Sequence, residues 1–184
     1  MLDEVVRLLS PRPAGLYIDA TAGGGGHSLA LLLASAHDGR VLSLDADSVA
    51  VSRVRQRLQH FGARACVVQA NFRQLATVAS QFNWRAIDGI VFDLGLSSDQ
   101  LGQAGRGFSL LEQDAPLDMR FDANQAMTAA ELVNTLPEND LADLIYRYGE
   151  DRLSRRIARA IVAARPVHTT GQLSAAIAKA VGRQ

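Results

Sequence analysis

Short apolar segments alternate with helical stretches between residues 15 and 105, and this alternation constrains the fold more than any other feature. The predicted strands cover residues 16–18, 41–44, 65–68 and 87–92. Short apolar strands separated by helices are typical of a parallel sheet with both faces covered. Because crossovers in such sheets are right-handed, we expect a doubly wound, Rossmann-like α/β core with strand order 3-2-1-4.

The chain changes character after this region. Residues 106–125 have little periodicity and are predicted to form a functional loop. From residue 126 the pattern is helical, with capping boxes predicted at Thr128 with Glu131 and at Thr169 with Gln172. We therefore divide the chain into a partial core (1–105), an active-site loop (106–125) and a partial helical domain (126–184).

Composition excludes several classes of protein. The chain has 184 residues, 48% of them hydrophobic and 21% charged, which rules out a disordered chain. A single cysteine, Cys66, excludes an internal disulfide and a cysteine-based zinc site, and the four histidines have no ligand spacing, so no metal is expected. No apolar run is long enough for a membrane, and the acidic start does not resemble a signal peptide. We expect a cytoplasmic protein; the sequence leaves its oligomeric state open.

Four consecutive glycines, Gly23 to Gly26, lie between the first strand and the first helix. A dinucleotide fingerprint would need glycine or alanine where Ser28 or Leu29 stands, so that interpretation fails narrowly. An acid at the strand end, Asp19, followed by glycines at +4 and +6, resembles the first motif of S-adenosylmethionine-dependent methyltransferases. The alternative is a flexible turn with no ligand.

Acidic and aromatic residues follow the other strands. Asp45 ends strand two, 19 residues after Gly26, where a carboxylate can accept both ribose hydroxyls; neighbouring Asp47 is predicted to cap the next helix. Phe72, after strand three, could pack on an adenine ring or simply lie under the following helix. Asp93 ends strand four at the topological switch point and is our candidate catalytic residue, holding the cofactor's amino group or the acceptor.

The motifs together resemble the bacterial 16S ribosomal RNA cytosine-N4 methyltransferases of the RsmH/MraW type. The resemblance is carried by residues 2–5, 18–28 and 88–101, by Arg-Gly-Phe-Ser at 106–109, by Pro-Leu-Asp-Met-Arg at 116–120, and by 148–150 with 156–162. It covers nearly the whole chain in the family's order, although Ala22, Ala46, Ala115 and Phe121 depart from the family's pattern.

The resemblance implies methyl transfer from S-adenosylmethionine to a cytosine amine in 16S ribosomal RNA of the small ribosomal subunit. The cofactor-binding positions that it implies are Gly25, Gly26, His27, Asp45, Phe72, Asp93 and Gln100. It also implies that family members continue beyond residue 184 with the last strands of the sheet. Two alternatives stay open: a truncated, non-catalytic fragment that binds cofactor or RNA, and a methyltransferase acting on a substrate other than RNA.

The basic residues are concentrated towards the end of the chain. Residues 146–184 carry eight basic and two acidic groups, whereas the chain as a whole has a formal net charge of zero. On a helix predicted over residues 151–164, four arginines form a stripe opposite an apolar seam of Leu153, Ile157, Ile161 and Ala164. The predicted RNA-binding arginines are Arg152, Arg155, Arg156 and Arg159. The alternative is an ordinary solvated helix face.

Overall fold

The computed structural model describes residues 2–102, 105–109 and 111–182. The chain divides into two compact units, Met1–Ser97 and Ser98–Gln184. In chain order, the first unit contains α1 (Leu2–Leu9), β1 (Leu16–Asp19), α2 (Gly26–Ala34), β2 (Arg40–Asp45), α3 (Ser48–Leu58), β3 (Ala65–Gln69), α4 (Leu75–Gln81) and β4 (Gly89–Val91), with 3₁₀ turns at Gln59–Arg64 and Phe72–Gln74.

The four strands form one parallel sheet in the order β3-β2-β1-β4, as the sequence predicts. Ile18 in β1 is paired with Leu42 of β2 on one side and with Ile90 of β4 on the other. Successive strand residues point to opposite faces, so Ile18 packs in one apolar cluster and its neighbour Tyr17 in a second one. The two central strands, β1 and β2, are therefore buried on both faces, which explains their continuous apolar sequences.

Strand β4 is shorter than predicted, Gly89–Val91 instead of residues 87–92. Its pairing with β1 ends at Val91, whose carbonyl oxygen accepts a 2.9 Å hydrogen bond from the N–H group of Ala20. Beyond that point, the N–H group of Asp93 donates to the Thr21 side chain instead of to a backbone carbonyl. Asp93 consequently lies in the loop after the strand and not at its last position.

Helix α1 was not predicted from the sequence. Val5 and Leu9, one turn apart on this helix, pack against the cluster around Tyr17 and Leu31. Residues four apart lie on the same face of a helix, so the apolar positions of Leu2–Leu9 do carry a periodic signal. The segment is only 8 residues long, too short for that signal to decide between helix and loop.

The second unit contains five helices among its described residues: α5 (Ser98–Gly102), α6 (Ala129–Thr135), α7 (Glu138–Gly149), α8 (Ser154–Ala163) and α9 (Thr170–Val181). Both predicted capping boxes are present, at Thr128 with Glu131 and at Thr169 with Gln172. The core of this unit is formed by apolar side chains of the helices together with two loop residues, Leu117 and Val167.

The helix predicted over residues 151–164 begins later, at Ser154. The Asp151 side chain accepts a 2.7 Å hydrogen bond from the N–H group of Leu153, which closes a turn ahead of the helix. The prediction that Arg152 belongs to the helical stripe is therefore wrong, and so is the placement of Leu153 in the apolar seam, since Leu153 is 42% exposed. Ala164 follows the helix and is exposed as well.

No helix in the described part of the chain is both long and apolar enough to span a bilayer.

Candidate functional site

The loop between β1 and α2 is anchored by Asp19, which is fully buried at the end of β1. One of its oxygens accepts hydrogen bonds from the N–H group (3.1 Å) and the hydroxyl group (2.7 Å) of Ser28 in α2. Burial raises the pKa of Asp19 above its ordinary value, although the bonds from Ser28 and Thr21 partly oppose that shift. Asp19 thus fixes the start of α2 relative to the sheet and is not exposed to a ligand.

The carboxylate of Asp45 lies at the end of β2 and faces the same loop. Its Oδ2 accepts a 2.8 Å hydrogen bond from the N–H group of Gly23, and its Oδ1 accepts a 2.9 Å bond from the N–H group of Asp47. A carboxylate oxygen has two lone pairs, so each oxygen of this half-buried group retains acceptor capacity. Asp45 can therefore support the loop and accept ribose hydroxyls together. Asp47 caps α3 as predicted, through Val49.

Donors are available where the loop enters α2. Among the described residues, no partner is found for the N–H groups of Gly26 and His27, at the first two positions of the helix. A Cβ atom on Gly26 would meet nothing within 4 Å. The chain itself therefore does not require glycine at this position, and the open space together with the free N–H groups suits a ligand carrying a polar or anionic group.

Gly25, which precedes α2, does need to be glycine. Its φ of +76° lies in the left-handed region, and a Cβ there would lie 3.4 Å from side-chain atoms of Val54 and Arg57. Glycine adopts this conformation without the steric cost that other residues carry. Gly25 thus sets the path by which the loop enters the helix.

Asp93, the candidate catalytic residue, is bonded to one residue of the loop region and lies near a second. Its N–H group donates a 2.8 Å hydrogen bond to Oγ1 of Thr21, and its Oδ2 lies 3.8 Å from Nδ1 of His27. The side chain of Asp93 is 55% exposed, whereas that of His27 is 18% exposed. The structure thus brings Asp93 and His27 together with an open carboxylate, and it assigns to Thr21 a contact that the sequence did not indicate.

Two other predicted positions are placed differently. Phe72 is 40% exposed and its ring meets that of Phe92 edge to face, with centroids 6.0 Å apart. Its ring therefore lies beside a neighbour without being covered, and a contact with adenine stays a prediction. Gln100 is buried in α5 of the second unit, and its cofactor contact also stays a prediction.

The two motifs of the 106–125 loop bind each other. Within the second motif, Asp118 and Arg120 form a bidentate ion pair with N···O distances of 2.8 Å. The hydrogen bonds from Arg120 hold the pKa of Asp118 below its ordinary value. Arg106 donates to the carbonyl oxygens of Arg120 and Phe121. A Cβ atom on Gly107, whose φ is +74°, would lie 2.5 Å from the Pro116 carbonyl oxygen. These contacts explain physically why both motifs occur together.

The described residues contain no cluster of three or more histidine, cysteine, aspartate or glutamate side chains that could hold a metal ion.

The arginine-bearing face of α8 is formed by Arg155, Arg156 and Arg159, all exposed. At about 100° per residue they span roughly 100° of the helix surface, opposite the buried Ile157 and Ile161. Arg159 makes an exposed ion pair with Glu138 at 3.5 Å. For Arg155 and Arg156, the described part of the chain provides no ion pair or hydrogen bond.

The fold is a Rossmann-like α/β sheet, and the glycine loop and the Asp45 carboxylate lie at the carboxyl ends of its strands, where open sheets of this type bind ligands. The model of the MraW methylase family matches residues 1–184, the full length of the chain. The chain therefore belongs to the MraW methylase family.

Curated relatives agree with that assignment. The chain is 48% identical over 184 residues to a ribosomal RNA small subunit methyltransferase H of Syntrophobacter fumaroxidans, covering 98% of this chain and 57% of the relative. It is 47% identical to the protein of that name from Thermomicrobium roseum, covering 99% and 56%, and 49% identical to that of a Cyanothece strain, covering 96% and 58%. The chain thus spans little more than half the length of these relatives.

A solved structure, the C-terminal domain of precorrin-6Y C5,15-methyltransferase from Rhodobacter capsulatus, matches 63% of this chain and 56% of that chain. The TM-score is 0.42 and the sequence identity 20%, so this likeness carries no argument about function.

Proposed function

We propose that this chain is an S-adenosylmethionine-dependent methyltransferase acting on 16S ribosomal RNA of the small subunit. The observation that carries the proposal is one glycine loop, in a chain of the MraW family, that the Asp45 carboxylate contacts at Gly23 and that ends in the free N–H groups of Gly26 and His27. The relatives are named as small-subunit ribosomal RNA methyltransferases, which supports the choice of substrate.

The residues of the loop fit this cofactor. Asp45 retains lone pairs for the ribose hydroxyls, and the N–H groups of Gly26 and His27 can donate to the cofactor's carboxylate. When bound, S-adenosylmethionine supplies an activated methyl group on a sulfonium. The protein then has to place the acceptor in line with that methyl group and exclude water, and it does not need a strong base.

The acceptor that we propose is the exocyclic N4 amine of a cytosine. The lone pair of this amine is conjugated into the ring and is weakly nucleophilic. A hydrogen-bond acceptor near the amine helps to localise this lone pair on the nitrogen. Asp93, whose main-chain N–H group is bonded to Thr21 and whose exposed carboxylate lies 3.8 Å from His27, is the candidate for that role. A base reaches such a site only when it is unpaired or flipped out of its stack.

We further propose that the arginine-bearing face of α8 binds RNA phosphates. Guanidinium groups match phosphate geometry, and Arg155 and Arg156 make no ion pair or hydrogen bond to any described residue. Arg152 lies in the turn ahead of the helix and can add to this charge, whereas Arg159 shares its charge with Glu138. RNA is the polyanion that the proposed activity requires.

The test is methyl transfer itself. Small ribosomal subunits lacking the modification are incubated with the chain and methyl-labelled S-adenosylmethionine, and their nucleosides are analysed by mass spectrometry. Labelled N4-methylcytosine confirms the proposal. Binding of cofactor or RNA without any product would establish the non-catalytic fragment instead, and label on another acceptor would establish a different substrate.

A further inference from the structure

The four-glycine loop has no side chains of its own with which to hold its shape, so it is held from outside. On one side, the Asp45 carboxylate accepts a 2.8 Å hydrogen bond from the N–H group of Gly23. On the other side, Nη1 of Arg57 donates a 2.6 Å hydrogen bond to the carbonyl oxygen of Gly24. A carboxylate from β2 and a guanidinium from α3 are therefore hydrogen-bonded to two consecutive glycines of the loop, Gly23 and Gly24.

Arg57 also contacts the loop through its aliphatic stem. Val54 and Arg57 are three residues apart on α3 and so lie on the same face of the helix. The Cδ atom of Arg57 and a methyl group of Val54 both lie 3.4 Å from the position that a Cβ on Gly25 would occupy. Val54 is fully buried, whereas Arg57 is exposed. The Arg57 side chain thus covers the α3 side of the loop and ends on its carbonyl group.

We infer that Arg57 is a positioning residue that keeps the glycine loop in the geometry that binds the cofactor, without touching the cofactor itself. This inference rests on the proposed function, in which the loop is the cofactor site. Glycines have the largest conformational freedom of any residue. A loop that spends only part of its time in the competent shape binds with an affinity reduced by that fraction.

Three variants test this role. Arg57→Met removes the donor and keeps most of the stem, and Arg57→Lys restores one donor for the Gly24 carbonyl group. The matched control is Arg55→Met on the same helix, because Arg55 also donates to a backbone carbonyl, that of Val67 in β3 at 3.1 Å, but not to the loop. All three variants are measured alongside the unaltered chain.

Calorimetric titration with S-adenosylmethionine is the first measurement. We expect the dissociation constant to rise about 3- to 10-fold in Arg57→Met, to recover at least partly in Arg57→Lys, and to stay unchanged in Arg55→Met. Adenosine lacks the amino-acid part of the cofactor, and its binding to Arg57→Met should weaken by the same factor. A loss confined to S-adenosylmethionine would show that Arg57 binds the cofactor's carboxylate directly and would overturn the inference.

Amide hydrogen exchange on the ligand-free chain is the second measurement, and it does not depend on the proposed function. The N–H groups of Gly23 and Gly25 are both hydrogen-bonded, to Asp45 and to the Ala22 carbonyl group. We expect both to exchange faster in Arg57→Met than in Arg55→Met. Unchanged exchange would overturn the inference. Faster exchange in a chain that binds no S-adenosylmethionine would leave the role of Arg57 standing and contradict the proposed function.

Discussion

The glycine loop and the arginine-bearing face of α8 are both polar, but the polar groups that support the loop have hydrogen-bond partners within the chain, whereas two arginines of α8 have none among the described residues. In the loop region, Asp19 and Asp45 accept hydrogen bonds from main-chain N–H groups, and Arg57 donates to a main-chain carbonyl. On α8, the described residues offer Arg155 and Arg156 no such partner. Groups with fixed partners define a single geometry, whereas unpartnered cations contribute summed charge that any phosphate can use.

This difference predicts different responses to mutation. A change in the loop region removes a specific contact and should have a large effect that conservative substitutions rescue. A change on α8 removes one charge from several and should have a small, graded effect that depends on salt. The following predictions are ordered from the largest expected effect to the smallest.

The largest effect is expected at Asp19. Substitution by alanine leaves the buried Ser28 N–H group without its acceptor and breaks the link to the Ser28 and Ser43 hydroxyls. We expect Asp19→Ala to lower the free energy of unfolding by about 2–4 kcal/mol in chemical denaturation. The matched control is Asp38→Ala, which also removes an acceptor from a main-chain N–H group, that of Ala14, but at an exposed site. Equal losses in both variants would contradict the special role of Asp19.

The pH dependence of stability sharpens the prediction for Asp19. Because burial raises its pKa in the folded state, the folded chain binds the proton more tightly than the unfolded chain. The contribution of Asp19 to stability is therefore fully present below its ordinary value of 3.8 and declines as the pH rises from there through the raised pKa. Relative to Asp19→Asn, the unaltered chain should lose stability over that interval. A difference that is constant with pH would contradict this.

Asp45 should have the largest effect on cofactor binding. Asp45→Ala removes the proposed ribose acceptors and one support of the loop, and we expect affinity for S-adenosylmethionine to fall by roughly 1.5–3 kcal/mol, or about 10- to 150-fold. The two roles are separated by comparing adenosine with 2′,3′-dideoxyadenosine in both proteins. Removal of the hydroxyls should weaken binding to the unaltered chain and have little effect in Asp45→Ala. If removal of the hydroxyls weakened binding equally in both proteins, Asp45 would support the loop without binding the ribose.

A smaller effect is expected at Thr21. Thr21→Val keeps the shape of the side chain but leaves the Asp93 N–H group without its acceptor. We expect about 1 kcal/mol, a roughly five-fold loss of affinity for S-adenosylmethionine, which Thr21→Ser should restore. If the serine variant bound as weakly as the valine variant, the packing of the threonine methyl group and not its hydroxyl would be the relevant interaction.

The smallest effect per residue is expected on α8. In the double variant Arg155→Gln/Arg156→Gln, affinity for fragments of small-subunit ribosomal RNA should fall evenly across sequences. The plot of log affinity against log salt should become less steep, by about 0.7 in the magnitude of its slope for each phosphate that the variant no longer binds. The control is Arg85→Gln, an exposed arginine of the first unit, and Arg152→Gln tests whether the turn ahead of α8 contributes. Identical slopes would assign these arginines to an ordinary solvated face.

Local signals in the sequence predicted much of this structure. The strand order follows from the βαβ pattern, and the capping boxes and the Asp47 cap follow from residues two or three positions apart. The predicted start of α8 was wrong because Asp151 accepts the N–H group of Leu153 with its side chain and that of Ser154 with its carbonyl oxygen. Such a turn has no periodicity of its own that would distinguish it from the first turn of a helix. The Arg57 hydrogen bond could not be predicted, since it joins residues 33 positions apart through a side chain with no motif of its own.

The central claim is that the glycine loop and the end of β2 form an S-adenosylmethionine site. The most direct measurement is a nuclear magnetic resonance titration of the chain with S-adenosylmethionine and, separately, with NAD. The account predicts saturable shifts of the Gly26 and His27 amide signals with S-adenosylmethionine and weaker or no shifts with NAD. Preferential binding of NAD, or saturation with S-adenosylmethionine that leaves both amide signals unmoved, would contradict it.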